Sequence, residues 1–199
     1  MKEKSLLAIS AMFSLLLYIP SINAQEKSKM LISGPTSQPI GHYEFCKKYF
    51  KECQYVGGDK GRFKLTDKRW KVLNSINHLV NVSYKSLTDQ EIYGVEEKWE
   101  YPVTAADCED FVLIKRKKLL EKGFPVSDLL ITVVLKPDTQ AHAVLVVRTD
   151  RGDFILDNMH DDILLWLKTE YKYIKRQSPR HPGHWQKILD NHMHQVSKK

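Results

Sequence analysis

Little in this sequence is present in excess, and the scarcities are informative. Nine glycines and eight prolines in 199 residues are too few for a collagen-like or low-complexity chain. Hydrophobic residues make up 42% and charged residues 28%, a balance that supplies a folded core and excludes disorder on compositional grounds. There is no internal repeat, and the length suits one domain better than two. No basic motif is interleaved with aromatics in the manner of nucleic-acid binders, so nucleic acid is not an expected partner. The formal net charge of +7 favours adhesion to anionic surfaces instead. Long apolar runs are absent everywhere except at the N-terminus.

That one run predicts the compartment. Lys2 and Lys4 precede an uncharged stretch from Leu6 to Ile19, followed by Pro20 and the small residue Ala24. A charged start, a short apolar middle and a small-residue exit read as a secretory signal peptide over residues 1–24, cleaved after Ala24. The alternative is an uncleaved membrane anchor, for which the stretch is short against about 30 Å of hydrocarbon. With cleavage, the protein is expected to be periplasmic or secreted and not integral to the membrane.

Cysteine is scarce too. Cys46, Cys53 and Cys108 form an odd set, so an oxidising compartment leaves one thiol over, and Cys108 is the expected odd one. On one unbroken helix the Cα atoms of Cys46 and Cys53 would stand roughly 10 Å apart, beyond disulfide reach. A bridge therefore requires a turn between them, near Tyr49-Phe50, and the spacing leaves the question open.

Residues 25–64 read as an N-terminal segment without strong pattern, 65–190 as the principal domain and 191–199 as a basic tail. Thr66 is a candidate cap for a helix over 67–81 with Trp70, Leu73, Ile76, Leu79 and Val80 on one side. Residues 85–104 read as loop. A second helix is expected from Cys108 to Gly123, with Lys115-Arg116-Lys117-Lys118 as its solvated face. Strands are expected over 129–135, 142–147 and 153–158, the last two joined by a tight turn at Thr149-Asp150-Arg151-Gly152. A short apolar segment follows at Ile163 to Leu167, and the stretch from Gln177 reads as a basic, histidine-rich tail. The fold class is α+β, helices first and an antiparallel sheet after.

Chemistry concentrates around Cys108. A thiol at a helix start feels backbone N–H groups and the positive end of the helix dipole, which favour the thiolate. Asp107, Glu109 and Asp110 oppose this, because negative neighbours raise a thiol's pKa. An imidazolium partner or a divalent cation would offset them. In a hairpin closed by a tight turn, Arg148 faces Asp153 and Val144 faces Asp157. His142 and Asp157 then lie on one face as diagonal neighbours, an arrangement that a one-residue slip would destroy. An Asp orienting a His that activates a Cys is the logic of acyl transfer. The backbone N–H of Cys108 is a candidate oxyanion donor. Trp99 is a cleft candidate, though a tryptophan is more often core. The histidines at 181, 184, 192 and 194 lack coherent metal-site spacing and read as surface.

The same residues carry a resemblance. Asp107-Cys108-Glu109-Asp110, His142-Ala143-Val144-Leu145 and Leu156-Asp157-Asn158 resemble the bacterial transglutaminase-like cysteine proteinases, which include the LapG-type periplasmic proteases that clip large adhesins. Trp70 to Asn77, Tyr93-Gly94, Trp99 to Pro102 and Lys175 to Ser178 are similar as well. Ala106 stands where members commonly carry glycine. The resemblance implies a papain/transglutaminase-like fold with the nucleophile at a helix N-terminus packed on an antiparallel sheet that carries His and Asp. It implies Cys108 as nucleophile, His142 as base then acid, and Asp157 as orienting group, in an exported thiol protease acting on a protein of the cell envelope. No cofactor is required for the chemistry. In the LapG-type branch carboxylates beside the nucleophile bind calcium, which implies Asp107, Glu109 and Asp110 as Ca²⁺ ligands; Asp107 and Asp110 also fit a metal-free N-cap. LapG-type relatives are held by an inhibitory membrane receptor, an implied partner here. The same triad serves transamidation, and a non-catalytic peptide-binding module on this fold is the alternative of a different class.

Overall fold

The computed structural model describes residues 28–55 and 57–190; residues 1–24, read as a signal peptide, and 191–199, read as a basic tail, lie outside the described residues. In chain order the elements are β1 (Leu31–Thr36), α1 (Ile40–Lys48), α2 (Asp67–Ser83), β2 (Lys85–Ser86), α3 (Asp89–Tyr93), β3 (Ala105–Ala106), α4 (Cys108–Glu121), β4 (Leu129–Leu135), β5 (Ala141–Thr149), β6 (Gly152–Leu156), β7 (Leu164–Leu165), β8 (Lys172–Gln177) and β9 (Trp185–Leu189). Seven strands form one antiparallel sheet in the order β1-β9-β8-β4-β5-β6-β7, and β2 pairs with β3 in a small parallel ribbon. The fold is α+β.

Local chemistry accounts for the elements. Thr66 caps α2, its hydroxyl accepting from the Arg69 N–H. Helix α2 buries Leu73, Ile76 and Val80, and α4 buries Phe111, Val112 and Leu119, against Leu129, Ile131, Leu145 and Val147 of the sheet. The opposite face packs Leu130, Val134, Val144, Val146 and Ile155 with Met30, Trp166, Tyr173 and Ile188. Strands β4 and β5 are covered on both faces, which is why they read as near-continuous apolar runs.

The β5–β6 hairpin pairs Thr149 with Gly152, Arg148 with Asp153 and Leu145 with Leu156. Gly152 has φ +134°, and a Cβ there would stand 2.8–2.9 Å from Leu165 and Ser28, so only glycine fits. Helix α1 stops at Lys48, the chain turns at Tyr49, and a 3₁₀ turn over Phe50–Cys53 brings Cys53 back to Cys46. These two form a disulfide with Cα atoms 5.6 Å apart, leaving Cys108 as the free thiol.

Two expectations are corrected. Lys115 and Arg116 are not part of a solvated face: they are 0% and 3% exposed, because α4 lies between α2 and the sheet and is covered nearly all round. Arg116 spends its guanidinium on the Leu129 carbonyl and on Glu52. Likewise the stretch after Gln177 is not a tail: Trp185–Leu189 is strand β9, between β1 and β8, with Trp185 and Ile188 buried. No helix among the described residues is long and apolar enough to cross a membrane.

Candidate active site

Helix α4 begins where Asp107 ends the β2–β3 ribbon and caps it, Oδ1 accepting from the Asp110 N–H at 3.3 Å. Ala106 is fully buried in β3 and needs no glycine, since among described non-glycine residues only Thr139 has positive φ. Cys108 is therefore the first residue of a helix, its N–H without an intrahelical acceptor.

The Cys108 thiol donates to Glu109 Oε2 at 2.6 Å. Burial pushes its pKa well up, and Glu109 and Asp107 push in the same direction, while the Ala143 N–H, next to His142 in the chain, pulls it down. In this arrangement the sulfur is a protonated thiol, hydrogen-bonded to a carboxylate rather than to an imidazole.

Strand β5 carries His142, which is 5% exposed, and Asp157 lies one residue beyond β6. His142 Nε2 meets Asp157 Oδ1 at 2.9 Å, which leaves Nδ1 as the ring nitrogen free to take a proton. Asp157 Oδ1 also accepts from the Met159 N–H at 3.0 Å, and Oδ2 accepts from the Tyr171 hydroxyl at 2.5 Å. Burial alone would raise the Asp157 pKa, but hydrogen bonds and charge from His142, with the Tyr171 hydroxyl, hold it below the ordinary carboxylate range.

Beside the thiol, side-chain oxygens of Asp89, Asp107 and Glu109 lie within 4.8 Å of one another. Burial, with Glu109, Asp110 and Asp89 adding to it, pushes Asp107 up to about 9; Asp110 is raised to about 7 and Asp89 and Glu109 are raised as well, burial first in each case. Asp89 Oδ1 and Asp110 Oδ2 are buried without a hydrogen-bond partner among the described residues. Converging hard oxygens, crowded negative charge and orphaned acceptors fit a divalent cation of the calcium type. Asp110 is not one of the three that converge; its Oδ1 accepts from the Glu100 N–H at 2.7 Å.

Asp89 went unnoticed in the sequence because it sits far from Cys108 in a stretch read as loop. The Thr88…Glu91 capping box would have revealed the helix that presents it. Trp99 is core, 5% exposed, its ring packed on Gly41 and edge-on to His42. His181 and His184 stack with centroids 4.0 Å apart, away from this site; His192 and His194 lie outside the described residues.

The sequence profile of the bacterial transglutaminase-like cysteine proteinases matches residues 32–193, most of the chain. This chain belongs to that family. It is accordingly a cysteine peptidase with the family's papain/transglutaminase-like fold. The proteinase is similar to Legionella pneumophila LapG in its calcium-bound form, with 24% identity over 78% of this chain and 97% of that one and a TM-score of 0.51. An EGTA-treated LapG structure from the same organism gives 29% identity over 57% of this chain and 64% of that one, just under two thirds of its length, with a TM-score of 0.47. A further LapG structure gives 30%, 58%, 68% and 0.49 for the same quantities. No curated protein matches the chain.

Proposed function

We propose that this proteinase is exported and cleaves a protein of the cell envelope through a Cys108–His142–Asp157 triad and an acyl-enzyme. The observation that carries the reading is the buried His142–Asp157 pair at 2.9 Å, on a strand whose next residue, Ala143, directs its N–H at the Cys108 sulfur. A carboxylate held ionised behind an imidazole fixes its tautomer and supports the imidazolium.

In the reaction the thiol turns from Glu109 to His142 and passes its proton to Nδ1. The sulfur forms a bond to the scissile carbonyl carbon, and the oxyanion faces the N–H of Cys108, the first of the helix and without an intrahelical acceptor. Collapse breaks the C–N bond, and His142 gives its proton to the departing amine. Water, deprotonated by His142, then attacks the thioester, releasing the carboxylate product and restoring the thiol. Asp89, Asp107 and Glu109 would hold calcium, which would supply positive charge that offsets the carboxylates beside the sulfur. Export is read from the apolar N-terminal run, and the envelope substrate stands on the family resemblance. An inhibitory membrane receptor as partner stands on the family resemblance.

Alkylation by iodoacetamide near pH 7 tests the reading. With calcium present, Cys108 should react much faster than a free thiol, and His142→Ala should slow it at least tenfold. EGTA should slow the native protein too and lower its melting temperature, calcium at about 100 times its Kd being worth roughly 2.7 kcal/mol. Asp89→Asn should blunt the calcium response. Equal rates for native protein and His142→Ala would leave an unactivated cysteine and a binding module; an unchanged rate and melting temperature in EGTA would remove the metal.

A further inference from the structure

Asp157 stands just past the last paired residue of β6, so the sheet ladder does not fix its side chain. A carboxylate there can rotate unless both oxygens are tied. Oδ1 is tied to His142 Nε2 and to the Met159 N–H. Oδ2 accepts from the hydroxyl of Tyr171 at 2.5 Å, its one donor among the described residues. Tyr171 is itself 6% exposed, and its ring lies 5.6 Å from that of His142 at an interplanar angle of 53°. Its aromatic plane thus walls the imidazole while its hydroxyl holds the acid behind it. The Asp157 backbone is pinned independently, its carbonyl accepting from Asn81 Nδ2 at 3.0 Å. With the backbone held, the hydroxyl of Tyr171 controls the remaining freedom, the torsion of the carboxylate.

We infer that Tyr171 is a positioning residue of the active site: its hydroxyl holds Asp157 Oδ2 so that Oδ1 stays in line with His142 Nε2. This rests on the triad reading above. Tyr171 touches neither the sulfur nor the scissile bond and acts only through Asp157. Its O–H···O⁻ bond is the short, charge-assisted kind, and its loss would leave a buried carboxylate oxygen unsatisfied. Lys115 from α4 and Tyr173 from β8 also feel the charge of Asp157. The Lys115 ammonium has no hydrogen-bond partner among the described residues, and the Tyr173 hydroxyl is shared with Thr169 Oγ1 at 2.9 Å.

The test is a double-mutant cycle on the full chain with calcium present, reading Cys108 alkylation by iodoacetamide and the proton NMR signal of the His142 ring N–H. Tyr171→Phe should slow alkylation about tenfold, as expected for one hydrogen bond to a charged group. Asp157→Asn should also slow it, and adding Tyr171→Phe to Asp157→Asn should do nothing more. The downfield His142 ring proton should move upfield and broaden in Tyr171→Phe. In the unsubstituted protein the Tyr171 hydroxyl proton should exchange slowly and show a cross-peak to the His142 ring. That measurement stands even if Tyr171→Phe fails to fold. Additive slowing in the double variant, an unmoved ring proton, or a Tyr171 hydroxyl in fast exchange with water would overturn the assignment. If native Cys108 alkylates no faster than a free thiol, the triad fails, while the ring and hydroxyl protons still decide whether Tyr171 holds Asp157.

Discussion

Lys115 is fully buried on α4, and its Nζ has no hydrogen-bond partner among the described residues. Burial pulls its pKa down from 10.5 to about 7, against the opposite pull of Asp157 and Asp161. Between those values the unfolded chain binds more protons than the folded one, so this residue makes stability rise with pH from about 7 to 10.5. Below pH 7 its full burial cost is present. Lys115→Met should therefore raise the melting temperature at pH 6, with the gain shrinking as the pH approaches 10. A variant equally or less stable than the native protein at pH 6, by differential scanning calorimetry, would show that the ammonium has partners in solution. Its burial, with that of Arg116, is why a run of four basic side chains is not a solvated face throughout. Helical periodicity places charges around an axis but does not say how many sides of that helix are covered.

Among the elements, those with strong local signals were legible in the sequence. Helix α2 starts at its Thr66 cap, β4 runs over its β-branched stretch, and the β5–β6 register follows from the turn at Thr149 to Gly152. The elements that were not legible are the peripheral ones. Strand β1 contains Gly34 and Pro35, poor strand residues tolerated on a sheet edge. Helix α1 buries Gly41, His42 and Phe45 while exposing Ile40 and Tyr43, so its apolar pattern is faint. Both are held by contacts from far along the chain, including β1 against β9 and His42 against Trp99 and Trp185. The Cys46–Cys53 disulfide, which spacing alone left undecided, closes the turn after α1. Replacing both cysteines by serine should cost roughly 2.5 kcal/mol, the loop-closure value for a ring of this size. Denaturant unfolding checks this, and a variant as stable as the native protein would mean the segment is held by packing alone.

At the scale of the whole molecule the site is a product of topology. Asp89 comes from α3, Cys108 from the start of α4, His142 from β5, Asp157 from beyond β6 and Tyr171 from the approach to β8. Cys108, His142 and Asp157 lie on segments whose chemistry or spacing is visible in the chain, whereas nothing local connects Asp89 or Tyr171 to them. The same sheet that buries Val144 and Val146 on one face and Leu145 and Val147 on the other brings these distant segments together. On the proposed reading, the Cys108 sulfur of this peptidase cuts a protein of the cell envelope. The most direct test compares the new N-termini generated in envelope proteins by the native chain and by Cys108→Ser, each added with calcium. The account predicts at least one envelope protein with a new N-terminus only where the sulfur is present; the same N-termini with both, or none with either, would contradict it.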